Sequence, residues 1–334
     1  MDRIIRRGKY WFNANLVNLI NILVYSVIVY LYLGLSYPDV GHDYGQKIVR
    51  LLDTFLHYKI NGLTIQWYSP TFGAGLPAYP NPLYLQYSLP QFLLFLFDPW
   101  ISLNLSLLFY CAVGYLAFYK IGREVLEADW MPSSLGALLF ISNGFIIEHA
   151  AAGHADFQCF ALLSFTLYLL VSPKVSIMMA SVLLGGTIGL LTHSFGHALF
   201  IIFTFSLLLA LPIIYIINPG VIKSKQLISK ITLGLVTGIL LSGGKLYAVY
   251  SFMRFFPRVK YGVYIPELFG AMKGVVWHLV GLMTLTPLNL LRGKDSDWIV
   301  KSMKLATSKG DMWESDQSLS PILWMLLFLS LIHI

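Results

Sequence analysis

Residues 16–35 form a run of 20 positions without one charged side chain. As a helix, such a run rises about 30 Å, the hydrocarbon thickness of a bilayer. The pattern recurs at residues 102–119, 175–192 and 195–217, and at 231–252 with a single charge, Lys245. Shorter apolar stretches lie at 135–147 and 157–171, and another begins at Pro321. In hydrocarbon every backbone amide must be bonded internally, and runs of this length achieve that as helices. Composition agrees: 57% of the chain is apolar and 12% charged, whereas soluble domains carry about 25% charged residues. That balance excludes both a water-soluble globule and a disordered chain. The sequence predicts an all-α fold, a polytopic transmembrane helical bundle forming one integral domain over residues 1–334, with interfacial helices in its loops.

Two further apolar stretches are too short or too broken to count as spans. Residues 83–97 contain Pro90 and residues 274–291 contain Pro287. Both are expected to dip into the membrane without crossing. Charge then sets the orientation. Arg3, Arg6, Arg7 and Lys9 precede the first span, which places the N-terminus in the cytoplasm. If residues 83–97 do not cross, Lys120, Arg123, Lys174, Lys223, Lys225 and Lys230 fall on the same inner side. The short outer loops, 148–156 and 193–194, then hold no Lys or Arg. Residues 36–101 and 253–320 become the large outer regions. The net charge of +7 is scattered between apolar runs. That distribution suits anionic lipid headgroups as partners and gives no nucleic-acid surface. Cys111 and Cys159 lie within apolar runs, which argues against a disulfide or a thiolate metal site.

The last six residues, Leu329 to Ile334, read Leu-Ser-Leu-Ile-His-Ile. One frame of a transposon-end sequencing adapter encodes the same string. These residues are expected to be non-native, with the natural protein continuing through further spans.

Chemistry-bearing residues collect just after the first span. Pro38 and Gly41 end that helix and leave Asp39, His42 and Asp43 at the membrane surface. An amphipathic helix follows. Ile48, Leu51, Leu52, Phe55 and Leu56 make its apolar face; Lys47, Arg50, Asp53 and His57 make the other, which is expected to be solvated. A turn-rich segment comes next, with Trp67 and Pro70, then Gly73, Gly75 and Pro77, then Pro82 and Tyr84. Gly and Pro shape turns there, and Trp and Tyr suit the headgroup layer.

An acidic residue just outside a first span, interfacial helices and this Trp-x-x-Pro, Gly-x-Gly-x-Pro stretch together resemble the GT-C superfamily of membrane glycosyltransferases. The likeness is to its YfhO-like bacterial and archaeal branch. Lys245, the Phe255-Phe256-Pro257-Arg258 string and Trp313-Glu314 also look like that branch. The resemblance implies a multi-pass protein of a prokaryotic cytoplasmic membrane. It further implies a polyprenyl-phosphate sugar donor and transfer on the outer face to a glycan, lipid or protein acceptor.

Such transfer needs a base for the acceptor hydroxyl, an oxocarbenium-like passage at the sugar carbon, and positive charge or a metal at the leaving phosphate. The resemblance points to Asp43 as the base, with Asp39 behind it; helix N-capping is the competing role for Asp43. Glu148, His149, His154 and Asp156 fall within nine residues, a costly concentration beside hydrocarbon unless they line a wet cavity. Glu148 and Asp156 are further catalytic candidates. Asp43 and Asp156 could hold Mg²⁺ or Mn²⁺. His42, Trp67 and His154 are candidate substrate contacts. Lys245, the one basic residue inside a strong span, and Arg258 are candidate phosphate ligands; snorkelling to the headgroups is the competing role for Lys245. His193 and His197 are four apart and could share a helix face, but no Glu follows the first, so the zinc-protease pattern HExxH is absent. A polytopic transporter or lipid flippase is the alternative function. Against it, the sequence shows no internal repeat, and its ionisable residues gather on one side.

Overall fold

The structure is a computed structural model that describes residues 2–34, 43–73, 75–194 and 196–255, with backbone alone for 2–13, 148, 197 and 198. The stretches 274–291 and 321–334 lie outside the described residues.

The described residues are helical almost throughout. α1 (Asp2–Leu33) leads to α2 (Tyr44–Asn61). A two-stranded ribbon follows, β1 (Tyr68–Ser69) antiparallel to β2 (Leu76–Pro77), with Tyr68 opposite Pro77. Next come α3 (Leu89–Leu93), α4 (Pro99–Lys120), α5 (Trp130–Ile141), α6 (Gly144–Ala151) and α7 (Leu162–Val171). α8 (Ile177–His193), α9 (His197–Ile217) and α10 (Ser224–Phe255) complete the described chain. Among the described residues, five helical stretches are long and apolar enough to cross a membrane: Ala14–Leu33, Pro99–Val125, Trp130–Ala151, Leu199–Ile217 and Ser224–Phe255. α8 is apolar but shorter, at 17 residues. Residues 83–97 carry only the five-residue α3, about 7.5 Å long, which cannot cross.

Local sequence explains the helix boundaries. Asp98 caps α4 by accepting from the amides of Trp100 and Ile101 at 2.9 Å each, and Pro99 occupies the first turn, where no amide is needed. Ser176 caps α8 through the Met179 amide at 3.2 Å. α4 runs on through a π-helical turn, Ile121–Val125. The 157–171 stretch opens as a 3₁₀ helix, Ala155–Ala161, before becoming α7. The C-terminus of α7 is capped from another helix: Lys230 Nζ donates to the carbonyls of Leu169 and Ser172, each at 2.9 Å.

Packing uses small residues and polar stitches, as expected where lipid offers no hydrophobic drive between helices. α8 and α10 approach through Gly185, Gly234 and Gly238. A Cβ on Gly238 would meet Ile188 at 2.7 Å, and one on Gly185 would meet Thr237 at 2.5 Å. α1, α4 and α5 are joined at Asn18, whose Oδ1 accepts from Tyr115 at 2.9 Å and Ser134 at 2.6 Å. Cys111 and Cys159 are free thiols, both buried.

Residues 142–149 belong to a second packing unit. Within it, Asn143 Oδ1 accepts from the Ile146 amide at 3.0 Å, and the Phe145 and His149 rings meet edge to face at 4.3 Å. The 135–147 run is therefore two helices, α5 and α6, rather than one.

Candidate functional site

Helix α2 presents Asp43, Lys47, Arg50 and Thr54 at the i, i+4, i+7, i+11 positions of one face. That face is turned into the protein, not into solvent. Lys47 is 2% exposed, Asp53 7% and Thr54 1%, while Val49, Leu52, Leu56 and Ile60 stand exposed. The expectation of a solvated Lys47–Arg50–Asp53 face thus fails at Lys47 and Asp53, while Arg50 is half-buried and Ile48 and Leu51 of the apolar face are buried as well. Burying such groups is tolerable only when they are paired, and the neighbouring loops supply the partners.

The first pairing is at the start of α2. Asp43 precedes the helix but makes no side-chain cap bond; its carboxylate is directed elsewhere. Its Oδ2 lies 3.6 Å from His154 Nε2, with the Asp43 side chain 42% exposed and that of His154 20%. One turn on, Lys47 Nζ makes an ion pair with Asp156 Oδ1 at 3.1 Å, almost fully enclosed. Tyr44 adds a hydrogen bond from its hydroxyl to the Ala150 carbonyl, and burial raises the pKa of that phenol. The segment 150–156 is so brought against the N-terminal turns of α2.

The second half of α2 organises the turn-rich loop. Asp53 accepts from Gln66 Nε2 at 2.8 Å, Thr71 Oγ1 at 2.9 Å and Tyr84 OH at 3.4 Å. Burial pushes the Tyr84 phenol up to about 12, so it remains a donor at neutral pH. Gln86 extends the network, accepting from the Gln66 amide at 3.3 Å and donating to the Thr64 carbonyl at 2.9 Å. Arg50 lies beneath, its guanidinium carbon 5.8 Å from the Tyr84 ring centroid.

Lys245 serves the same loop from α10. It is wholly buried; its ammonium donates to the carbonyls of Tyr79 and, at 3.1 Å, Asn81. It also sits 4.9 Å from the Tyr79 ring centroid. The Tyr79 ring in turn meets Trp67 edge-on at 5.5 Å, and Trp67 is 57% exposed. Lys245 therefore neither snorkels nor presents a free ammonium. It holds the loop that positions Trp67, and the direct phosphate contact expected of it gives way to that role.

Of the residues singled out in the sequence, Asp43, His154 and Asp156 are brought together at the N-terminal turns of α2, and Trp67 and Lys245 are joined through Tyr79. Glu148 lies in α6, in the second packing unit, and only its backbone is described. Asp39, His42 and Arg258 lie outside the described residues. His193 packs beside Tyr79 and Tyr87, with centroids 6.4 and 5.6 Å away; His197 opens α9.

The described residues do not fit a Mg²⁺ or Mn²⁺ site at Asp43 and Asp156. The Asp156 carboxylate is already neutralised by Lys47, and no group of three His, Cys, Asp or Glu among the described residues could hold a metal ion. The sequence reading missed Lys47, Arg50, Asp53 and Gln66 as participants. Their signal was the polar stripe itself, which periodicity reveals without saying which way it faces.

No family model matches the chain, and no curated protein or solved structure matches it either.

Proposed function

We propose that the chain is a membrane glycosyltransferase of the GT-C kind, moving a sugar from a polyprenyl phosphate to an acceptor hydroxyl on the outer face of a prokaryotic cytoplasmic membrane. One observation carries the reading: Asp43, a half-exposed carboxylate at the end of the first loop, stands 3.6 Å from His154, a residue 111 positions away. An open carboxylate beside an imidazole, above apolar helices, is suited to accept a proton from a hydroxyl.

In this mechanism the acceptor oxygen attacks the anomeric carbon as the bond from that carbon to the phosphate oxygen breaks. The acceptor proton passes to Asp43, and the polyprenyl phosphate leaves with the bonding electrons. His154 lies just beyond hydrogen-bonding distance of Asp43 and orients the carboxylate once an acceptor enters. The Lys47–Asp156 pair fixes the segment carrying His154. Trp67 offers a ring face for the sugar or acceptor. The exposed Val49, Leu52, Leu56 and Ile60 stripe suits a helix lying in the membrane interface.

The test is transfer of labelled hexose from a polyprenyl-phosphate hexose by the protein in proteoliposomes. Asp43→Asn should lower the rate by about 10²–10⁴-fold at equal folded protein. Equal rates in the variant and wild type would remove Asp43 as the base. Movement of the sugar lipid across the bilayer without any transfer would replace the enzyme with a flippase.

A further inference from the structure

The buried lysines of the described residues are all satisfied. Lys47 is paired with Asp156. Lys230 is bonded to the α7 carbonyls and Lys245 to those of the turn-rich loop. Arg50 differs. Its Nε and Nη1 are buried, and neither has a hydrogen-bond partner among the described residues. The guanidinium is held against the Tyr84 ring at 5.8 Å, a contact that orients a plane but satisfies no N–H. Burial lowers its pKa, and the nearby Tyr84 and Asp43 partly oppose that shift. Two buried, unmet donors on a half-buried guanidinium are costly, and its planar fork matches two oxygens of a phosphate.

Position adds to this. Arg50 follows Asp43 by seven residues, two turns along the same face of α2, about 10.5 Å in axial rise. Lys47 lies between them but is occupied by Asp156. The face therefore offers a carboxylate at one end and an unfilled anion-binding fork at the other.

We propose that Arg50 binds a phosphate oxyanion at this face. The ligand is a phosphate ester carried on a lipid, either a polyprenyl phosphate or the headgroup of an anionic phospholipid. The proposal deepens the transferase reading by naming the group that meets the phosphate, and it rests on that reading for the identity of the reacting lipid.

The experiment measures farnesyl phosphate binding to the full chain in phosphatidylcholine nanodiscs, by tryptophan fluorescence, with farnesol as the phosphate-free control. Wild type should bind the phosphate. Arg50→Gln should weaken it by about 10- to 100-fold, the effect of one or two charge-assisted hydrogen bonds, and leave farnesol binding unchanged. Arg50→Lys keeps the charge but not the fork and should give a smaller loss. If Arg50→Gln does not fold, Arg50→Lys decides: weakening of threefold or more supports the site. Wild-type affinity in the folded variants, or no binding of farnesyl phosphate by wild type, overturns it. Replacing the nanodisc lipid with phosphatidylglycerol separates the sources. Competition in wild type that vanishes in Arg50→Gln assigns the site to the headgroup; no competition assigns it to the polyprenyl phosphate. Sugar transfer is scored separately. Phosphate binding through Arg50 with no transfer by wild type sinks the transferase and keeps the anion site. Transfer unaffected by Arg50→Gln, together with unchanged binding, does the reverse.

Discussion

Gly153 lies against Tyr44: a Cβ at that glycine would stand 2.7 Å from the Tyr44 amide nitrogen. Its φ of +84° is also one that side-chain-bearing residues adopt only at a cost of about 1–2 kcal/mol. That contact, with the Tyr44–Ala150 hydrogen bond and the Lys47–Asp156 ion pair, brings the segment carrying His154 against the start of α2. Gly153→Ala should therefore destabilise the protein by at least the backbone cost, with the Tyr44 clash added to it. Thermal unfolding in detergent measures the first effect. An unchanged midpoint in Gly153→Ala would show that the segment does not pack as described.

The Lys47–Asp156 pair makes a sharper energetic case. Both side chains are nearly enclosed, and removing one member of a buried pair typically costs about 3–5 kcal/mol because the other charge is stranded. Lys47→Met should show a loss of that order. Adding Asp156→Asn to it removes the stranded charge and should recover most of the stability. Chemical denaturation of the two single variants and the double variant gives the coupling directly. Additive losses would mean that the two groups do not interact.

Much of the scaffold was legible in the sequence, because long uncharged runs have few alternatives. α4 and α10 cover the strong runs at 102–119 and 231–252, α1 and α9 take in residues 16–33 and 197–217 of two others, and the stretch around Pro90 fails to make a spanning helix. The 135–147 run did not reveal its break at Ser142 and Asn143, since neither is a strong helix breaker. Asp43 and His154 were each singled out, and Gly153 permits the close approach between them. The orientation of α2 was misread for a physical reason. A helical period divides residues into faces; it does not say which face has partners. Asp53 found Gln66, Thr71 and Tyr84 on a loop up to 31 residues later, and Lys245 found carbonyls of Tyr79 and Asn81 more than 160 residues earlier. No local pattern encodes those meetings.

Asp53 gives a prediction opposite to the one its exposed-face reading supports. Asp53→Ala leaves Gln66, Thr71 and Tyr84 without their shared acceptor. Each buried donor left unmet costs about 1–3 kcal/mol, so the turn-rich loop should loosen even if the helices hold. Limited proteolysis between residues 62 and 76 should speed up by more than tenfold, while cleavage elsewhere stays constant. Proteolysis at the wild-type rate would mean that Asp53 does not organise the loop. A loss of sugar transfer in this variant is also expected, through Trp67, whose neighbour Tyr79 belongs to that loop.

The last prediction concerns which side of the membrane holds the site. Lys230 and Lys245 lie on one helix, 15 residues apart, a rise of about 22 Å. Lys230 caps the end of α7, near which Lys174 pairs with Glu124 at 3.1 Å. Lys245 holds the loop that carries Trp67. The two lysines thus mark opposite ends of the apolar stretch of α10, which is long enough to cross a membrane. The positive-inside bias predicts that the basic end, with Lys120, Arg123, Lys174 and Lys223, is the cytoplasmic one. A single cysteine at Ser224 should react with a membrane-impermeant maleimide only after the cells are opened. One at Trp67, exposed in the loop, should react in intact cells. The reverse pattern would put Asp43 and Arg50 on the cytoplasmic side and end the case for chemistry on the outer face. Labelling of both from outside would mean that α10 does not cross.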